Sequence, residues 1–321
     1  MKLIDIAKEF TDINIFNVHT KYAITNIAAL FIERTNTEFI HEIDLATVVK
    51  FKERTLEIAQ PVSYNGYLKY LRILGDYAVE KHLVSENIFR KVKLAPIGKL
   101  PCKLLAPQDL ADIESYVIQH QQSFNPYWFW LTLMNCFYYT GMRRRQLISL
   151  QIGDLDFQKS VIRLRYEGSK TQREWQIPMH EELAAQLKTL IANTELITSR
   201  RLQSNDYVFR IHLFNDRYTF GKRGNMNAES ITGFFKRLSK QSGIRIGAHR
   251  FRHTLATNLC NPEDDTPPDI FAAQEILGHT NLQTTRNYVS TNIKRMDIAL
   301  SRITKHRNPP SELLDNVIIN A

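Results

Sequence analysis

Residues 248–253 read Ala248-His249-Arg250-Phe251-Arg252-His253, and residues 277–288 run from Leu277-Gly278-His279 to Thr284-Thr285-Arg286-Asn287-Tyr288. The two stretches gather arginines, histidines and one tyrosine. A tyrosine hydroxyl can act as a nucleophile. An arginine fork grips phosphate oxygens two at a time. Histidine moves protons near neutral pH. These are three of the parts needed to attack a phosphodiester. His249 and His253 are four residues apart and share a face if the segment is helical.

The ordered set His249-x-x-Arg252-His253, Leu277-Gly278-His279 and Tyr288 resembles the C-terminal signature of the tyrosine recombinase, or phage-type integrase, family, which includes Xer-type and integron recombinases. Upstream, Thr140-Gly141-Met142-Arg143 looks like the family's first arginine box, and Lys170, within Gly168-Ser169-Lys170-Thr171, looks like its hairpin lysine. No single motif is specific; their order and spacing are. The resemblance covers roughly residues 105 to 305 firmly and the first hundred in outline. It implies a mainly α fold with a small antiparallel β-sheet, built as a two-domain, C-shaped DNA clamp. The expected divisions are a helical core-binding domain at 1–94, a basic linker at 95–106, a mixed α/β catalytic domain at 107–308 and a tail helix at 309–321.

Bulk properties agree with a chain that meets a polyanion. The 321 residues are enough for two cored domains, and 42 Lys+Arg against 33 Asp+Glu leave a net charge of +9. Residues 1–105 hold 15 of those cations and 12 of the anions, so 27 and 21 remain for the rest. The excess lies in both parts, and each could touch the same DNA. Cys102, Cys136 and Cys260 are few, odd in number and far apart, which argues against a disulfide framework or zinc site and for a reducing cytoplasm. Neither a signal-peptide core nor an apolar run of the ~18 residues that a membrane helix needs is present, so a membrane partner is not expected. The family likeness makes that compartment the prokaryotic cytoplasm, at the nucleoid when DNA is bound.

Along the chain, residues 1 to 94 read as a bundle of four or five helices. Tyr64, Lys69 and Arg72 could reach phosphates there, since long basic side chains beside aromatics suit that task; an ordinary bundle with solvated charges fits as well. Tyr127 to Tyr139 is almost wholly apolar and predicts a buried helix that Gly141 ends, leaving Arg143 just past a rigid support. Arg143-Arg144-Arg145 could otherwise be a plain basic patch. Three residues on, Gln146 stands where the family usually has a glutamate. Alternation in 160–166 and 174–179 predicts a hairpin with Lys170 in its turn and Arg173 as a deputy. Residues 230–242 predict a helix with Ile231, Phe234, Phe235 and Leu238 on one face and Lys236, Arg237 and Lys240 on the other, fit for a DNA backbone or for plain solvent. The segment 261–269 is acidic, proline-rich and longer than the family's usual loop. Thr284 to Asn292 predicts a helix bearing Tyr288. In the tail, Leu313, Leu314, Val317 and Ile318 could anchor on a neighbouring protomer or on their own domain.

The resemblance carries roles with it. Tyr288 would be the nucleophile, Arg143 and Arg252 would clamp the phosphate, His279 would add a donor, His249 would assist deprotonation and Lys170 would protonate the leaving 5′ oxygen. His253 and Gln146 would support them. Arg144, Arg173, Lys236, Arg237 and Lys240 would join Tyr64, Lys69 and Arg72 in binding DNA. The two histidines lack the glutamate of an H-E-x-x-H and a nearby third ligand, so neither metal nor cofactor is expected. The implied partners are a double-stranded recombination site and three further copies in a tetramer, with room for a second recombinase or an accessory protein. Two other readings remain open: a type IB topoisomerase-like strand-transfer enzyme, and a non-catalytic sequence-specific DNA-binding protein.

Overall fold

The computed structural model describes residues 1–98, 104–165, 174–219, 221, 224–262 and 268–289. The chain divides into two compact units, Met1–Pro101 and Cys102–Ala321.

The first unit is helical. Helices α1 (Leu3–Ile13), α2 (Val18–Thr35), α3 (Leu45–Ile58) and α4 (Pro61–Glu80) enclose a core of Ile6, Phe31, Phe51, Leu68, Leu71 and Phe89. Side chains mark where helices begin. Asn17 accepts from the Thr20 N–H at 2.9 Å, Asp44 from the Thr47 N–H at 2.7 Å, and Pro61 opens α4, where a missing N–H costs nothing.

Three of the DNA-contact expectations belong to this unit, and two are corrected. Tyr64 is fully buried against Phe51, so its ring is core rather than surface. Arg72 turns inward. Its Nε donates to Phe89 O at 3.2 Å and its Nη2 to Val92 O at 2.6 Å, supplying donors that the irregular chain after α4 lacks. Lys69 is exposed. Asn65 pairs with both backbone groups of Ala95, at 2.9 and 2.8 Å, and so pins the chain leaving the unit.

The second unit is built around α6 (Tyr127–Thr140). Its Phe129, Trp130, Leu133, Met134 and Phe137 are buried, and Trp130 stacks on Phe234 with centroids 4.2 Å apart. Around it lie α5 (Pro107–Gln119), α7 (Arg144–Ser149), α8 (Glu181–Thr198), α9 (Ala228–Ser242), α10 (Ala248–Cys260), α11 (Ile270–Leu277) and α12 (Leu282–Arg286). Strands β1 (Leu155–Asp156), β2 (Val161–Leu164) and β3 (Trp175–Pro178) form one antiparallel sheet in that order. Leu164 faces Trp175 and Ile162 faces Ile177, and the alternation puts Ile162, Leu164 and Ile177 into the core. Among the described residues the protein is therefore mainly helical with a three-stranded sheet, as expected. No described helix is long and apolar enough to cross a membrane.

Candidate active site

Gly141 organises the site. It ends α6 in the left-handed region, at φ +58, and a Cβ there would stand 2.9 Å from Leu255 of α10 and 3.0 Å from Leu277 of α11. Only glycine fits both the backbone and the space. The close approach brings the start of α7, the middle of α10 and the end of α11 together. Arg143, the residue before α7, then projects from a fixed point. Its N–H donates to Gln146 Oε1 at 2.8 Å, so the glutamine performs the capping that a glutamate would, without the charge.

Arg252 lies at the centre and is only 5% exposed. Its Nη1 donates to Gly141 O at 2.8 Å, and its Nη2 to Leu277 O at 2.7 Å and to His279 Nε2 at 3.0 Å. A guanidinium cannot accept, so Nε2 of His279 carries no proton. The ring proton is then on Nδ1 and is donated to Thr285 Oγ1 at 2.9 Å. In this arrangement His279 holds Arg252 in place, in contrast to the donor's part that the family resemblance implies for it. Burial, reinforced by the charges of Arg252 and Arg143, pushes the His279 imidazole down to about 4. Burial and the neighbouring Arg143 lower the Arg252 guanidinium to about 10, still a cation at neutral pH.

Arg143 is half-buried, and its Nη1 is buried without a hydrogen-bond partner. Desolvation lowers its pKa, and the nearby Tyr288 raises it. Among the described residues neither Arg143 nor Arg252 has a carboxylate partner. Two desolvated cations side by side, one with an idle N–H, are costly to hold unless an anion completes them.

Tyr288 faces this pair. It sits in a turn just beyond α12, with its N–H on Thr285 O at 3.0 Å, so the expected helix around it stops at Arg286. Its ring stacks nearly parallel to His279, centroids 6.2 Å apart, and lies 5.4 Å from the ring of His253. His249 precedes His253 by one turn of α10, with ring centroids 5.6 Å apart, and it is exposed. Desolvation first, then Arg252, Arg144 and Arg143, hold the His249 imidazole below its ordinary value. Burial, then His249 and Arg252, do the same to His253, whose Nδ1 is buried and unbonded. Both rings are therefore neutral at pH 7.

The sheet reaches the site through Trp175. Its Nε1–H donates to Ile276 O at 3.2 Å, and its ring lies flat against Gly278, where a Cβ would stand 2.4 Å from Cζ2. Gly278 has φ +61 and delivers His279. The base of the hairpin is thus fixed beside the second histidine. Lys170 and Arg173 lie outside the described residues, as do residues 263–267 of the acidic loop and the tail at 309–321.

The expected DNA-facing residues divide here too. Lys236 and Lys240 are exposed on α9. Arg144, which opens α7, is exposed and donates to Thr232 Oγ1 of α9. Arg237 is the correction. It turns inward, donates to Tyr218 OH at 2.7 Å and packs over the Phe124 ring. Among the described residues no group of three or more His, Cys, Asp or Glu side chains could hold a metal ion.

The sequence singles out Arg143, His249, Arg252, His253, His279 and Tyr288, and the fold brings all six together. It gives no notice of Thr285, which sets the His279 tautomer, of Trp175 under Gly278, or of Asn261, whose Nδ2 donates to Tyr288 O at 2.7 Å. A hydroxyl six residues after a histidine is the one visible signal among these.

A family model described as the phage integrase family matches residues 114–295. A tyrosine recombinase XerC of Pseudomonas aeruginosa is 28% identical over 277 residues, which is 82% of this chain and 62% of that protein. One of the same name from Pseudomonas syringae is 30% identical over 238 residues, 71% of this chain and 48% of that one. The chain thus spans less than two thirds of the length of these curated relatives. Among solved structures, the Tn1549 transposon integrase in complex with transposon right end DNA matches with a TM-score of 0.74 and 20% identity, over 95% of this chain and all of that one. That likeness is one of fold.

Proposed function

Because the chain belongs to the phage integrase family, we propose that it is a site-specific DNA recombinase that cuts and rejoins DNA through a covalent 3′-phosphotyrosine. The observation that carries this reading is the pair Arg143 and Arg252, desolvated, without a carboxylate partner among the described residues and facing the Tyr288 ring. An anion-binding hole beside a nucleophile suits a phosphodiester.

Catalysis of this reaction is mostly positioning and charge stabilisation. The non-bridging oxygens of the scissile phosphate take the idle Arg143 Nη1–H and the remaining N–H groups of Arg252. The Tyr288 oxygen attacks phosphorus, the bond to the 5′ oxygen breaks, and that oxygen leaves as a hydroxyl. Tyrosine alone is a poor nucleophile at neutral pH, with an ordinary pKa of about 10. We assign its proton to the neutral His249–His253 pair, with His249 on the arginine side as acceptor and His253 against the tyrosine ring as its guide. His279 keeps Arg252 aimed. Lys170 supplies the proton to the leaving oxygen. The phosphotyrosine stores the bond energy, so a 5′ hydroxyl from a second duplex can reverse the step without ATP or metal. Exchange in pairs would proceed through a Holliday junction within a tetramer on two sites, to integrate, excise or resolve mobile DNA.

Nicked suicide duplexes, tiled across the DNA flanking the gene, test the proposal. The cut strand loses its short 5′-hydroxyl fragment and traps the protein. An SDS-resistant adduct formed without metal or ATP and lost in Tyr288→Phe supports the reading. Retarded DNA with no adduct would favour a DNA-binding protein instead.

A further inference from the structure

The acidic loop 261–269 has an attachment at its first residue. Asn261 ends α10, and its Nδ2 donates to two carbonyls: Thr257 O at 2.8 Å, one turn back in the same helix, and Tyr288 O at 2.7 Å. A side-chain amide has two N–H protons, and this geometry uses both. At the other end of the loop, the Asp269 N–H donates to Leu259 O at 3.3 Å and its Oδ1 caps α11 through the Ala272 N–H at 2.7 Å. The loop therefore leaves the end of α10 and returns to it.

Helix α10 also carries His249, Arg252 and His253. The turn that holds Tyr288 has local bonds of its own, Tyr288 N–H to Thr285 O at 3.0 Å and Val289 N–H to Arg286 O at 3.1 Å. Those set the shape of the turn. The Asn261 amide adds a bond that ties the tyrosine's own peptide to the helix of the arginine and histidines. It acts on the carbonyl of Tyr288, one bond from the Cα that bears the reactive ring.

We propose that Asn261 is a positioning residue for the nucleophile: it sets the reach of Tyr288 to the phosphate without touching the phosphate itself. The inference rests on Tyr288 being the nucleophile. A near-attack geometry tolerates little error, and a misplacement of about 1 Å costs about 10²-fold in rate.

The test separates the position of the tyrosine from the integrity of the site. Asn261→Ala and Asn261→Asp, the latter keeping the shape and losing both donors, are made in the full chain. Single-turnover adduct formation on the nicked suicide DNA is measured with Tyr288 present. In a Tyr288→Phe background, hydrogen peroxide replaces the nucleophile: its oxygen attacks phosphorus and the 5′ oxygen leaves with a proton. Both Asn261 variants are expected to slow adduct formation about 10²-fold. Peroxide cleavage by Tyr288→Phe/Asn261→Ala should equal that of Tyr288→Phe alone, since the arginines have not moved. Adduct formation at the parental rate in Asn261→Ala would overturn the inference. So would an equal fall in the peroxide reaction, which would mark Asn261 as a support of the whole site. No cleavage by either nucleophile in the parent backgrounds, on any tiled duplex, would instead overturn the strand-cleaving reading, and this inference with it.

Discussion

Arg252 donates through Nη2 to His279 Nε2 at 3.0 Å, and that bond decides where the charge of the site resides. The guanidinium keeps the proton and the imidazole stays neutral. Thr285 completes the arrangement by accepting from Nδ1. The result is a pair of cations, Arg143 and Arg252, with a neutral ring as the brace of Arg252.

The brace gives folding a pH dependence. His279 titrates near 6.5 when unfolded and about 4 when folded, so between those values the unfolded chain binds more protons and stability rises with pH. The contribution is complete above about 6.5 and is lost as pH falls toward 4. In His279→Gln this titration is absent. Scanning calorimetry from pH 7 downward should show the thermal midpoint of the variant falling less steeply than that of the parent. Parallel curves would contradict the assignment.

The two α10 histidines should be separable. Both are held below the ordinary imidazole value and act as neutral groups at pH 7. Single-turnover cleavage should therefore be level above about pH 6.5 and decline only at lower pH. His249→Gln should lower the plateau by about 10²- to 10⁴-fold, the usual scale of a proton-transfer group. His253→Gln should cost less and keep the pH profile. A larger loss in His253→Gln would exchange the two roles.

DNA affinity offers a test of which basic residues face outward. Lys236→Ala and Lys240→Ala remove exposed charges on α9. For each phosphate that such a lysine neutralises, its removal should reduce the slope of log K against log salt by about 0.9. Arg237→Ala breaks an internal bond to Tyr218 and should instead lower the melting temperature. Gel-shift titrations at several salt concentrations, with melts of the same variants, distinguish the two classes. An unchanged melting temperature in Arg237→Ala would contradict its inward role.

Gly141→Ala should be among the least tolerated small changes. The residue combines φ +58 with a Cβ position 2.9 Å from Leu255 and 3.0 Å from Leu277. Strain of this kind costs about 1–3 kcal/mol. It also pushes apart the helices that hold Arg143 and Arg252. Denaturant unfolding should show the loss, and cleavage should fall further than stability alone explains. Parental stability and rate would sink the idea that this close approach assembles the site.

Much of the fold and of the site is legible in the sequence, for reasons that particular residues make plain. The apolar run of α6 can only be buried, and Gly141 can only end it. The spacing of His249, Arg252 and His253 needs just one turn of helix. The strand alternation of β2 and β3 declares itself in Ile162, Leu164 and Ile177. What stays hidden depends on partners distant in sequence. Tyr64 stands between Ser63 and Asn65 on its helix, where core and surface roles look alike. Arg72 and Arg237 serve Phe89 O, Val92 O and Tyr218 OH, and no pattern announces which acceptors lack donors. The tautomer of His279 follows from Arg252, 27 residues away.

The proposed reaction is defined by the atom that attacks. The most direct measurement is mass spectrometry of the protease-digested protein–DNA adduct from a suicide duplex, with the DNA trimmed by nuclease. A nucleotide remnant on Tyr288, joined through its 3′ phosphate, is the expected result. A remnant on another residue, a 5′ linkage, or a noncovalent complex that dissociates on denaturation would contradict it.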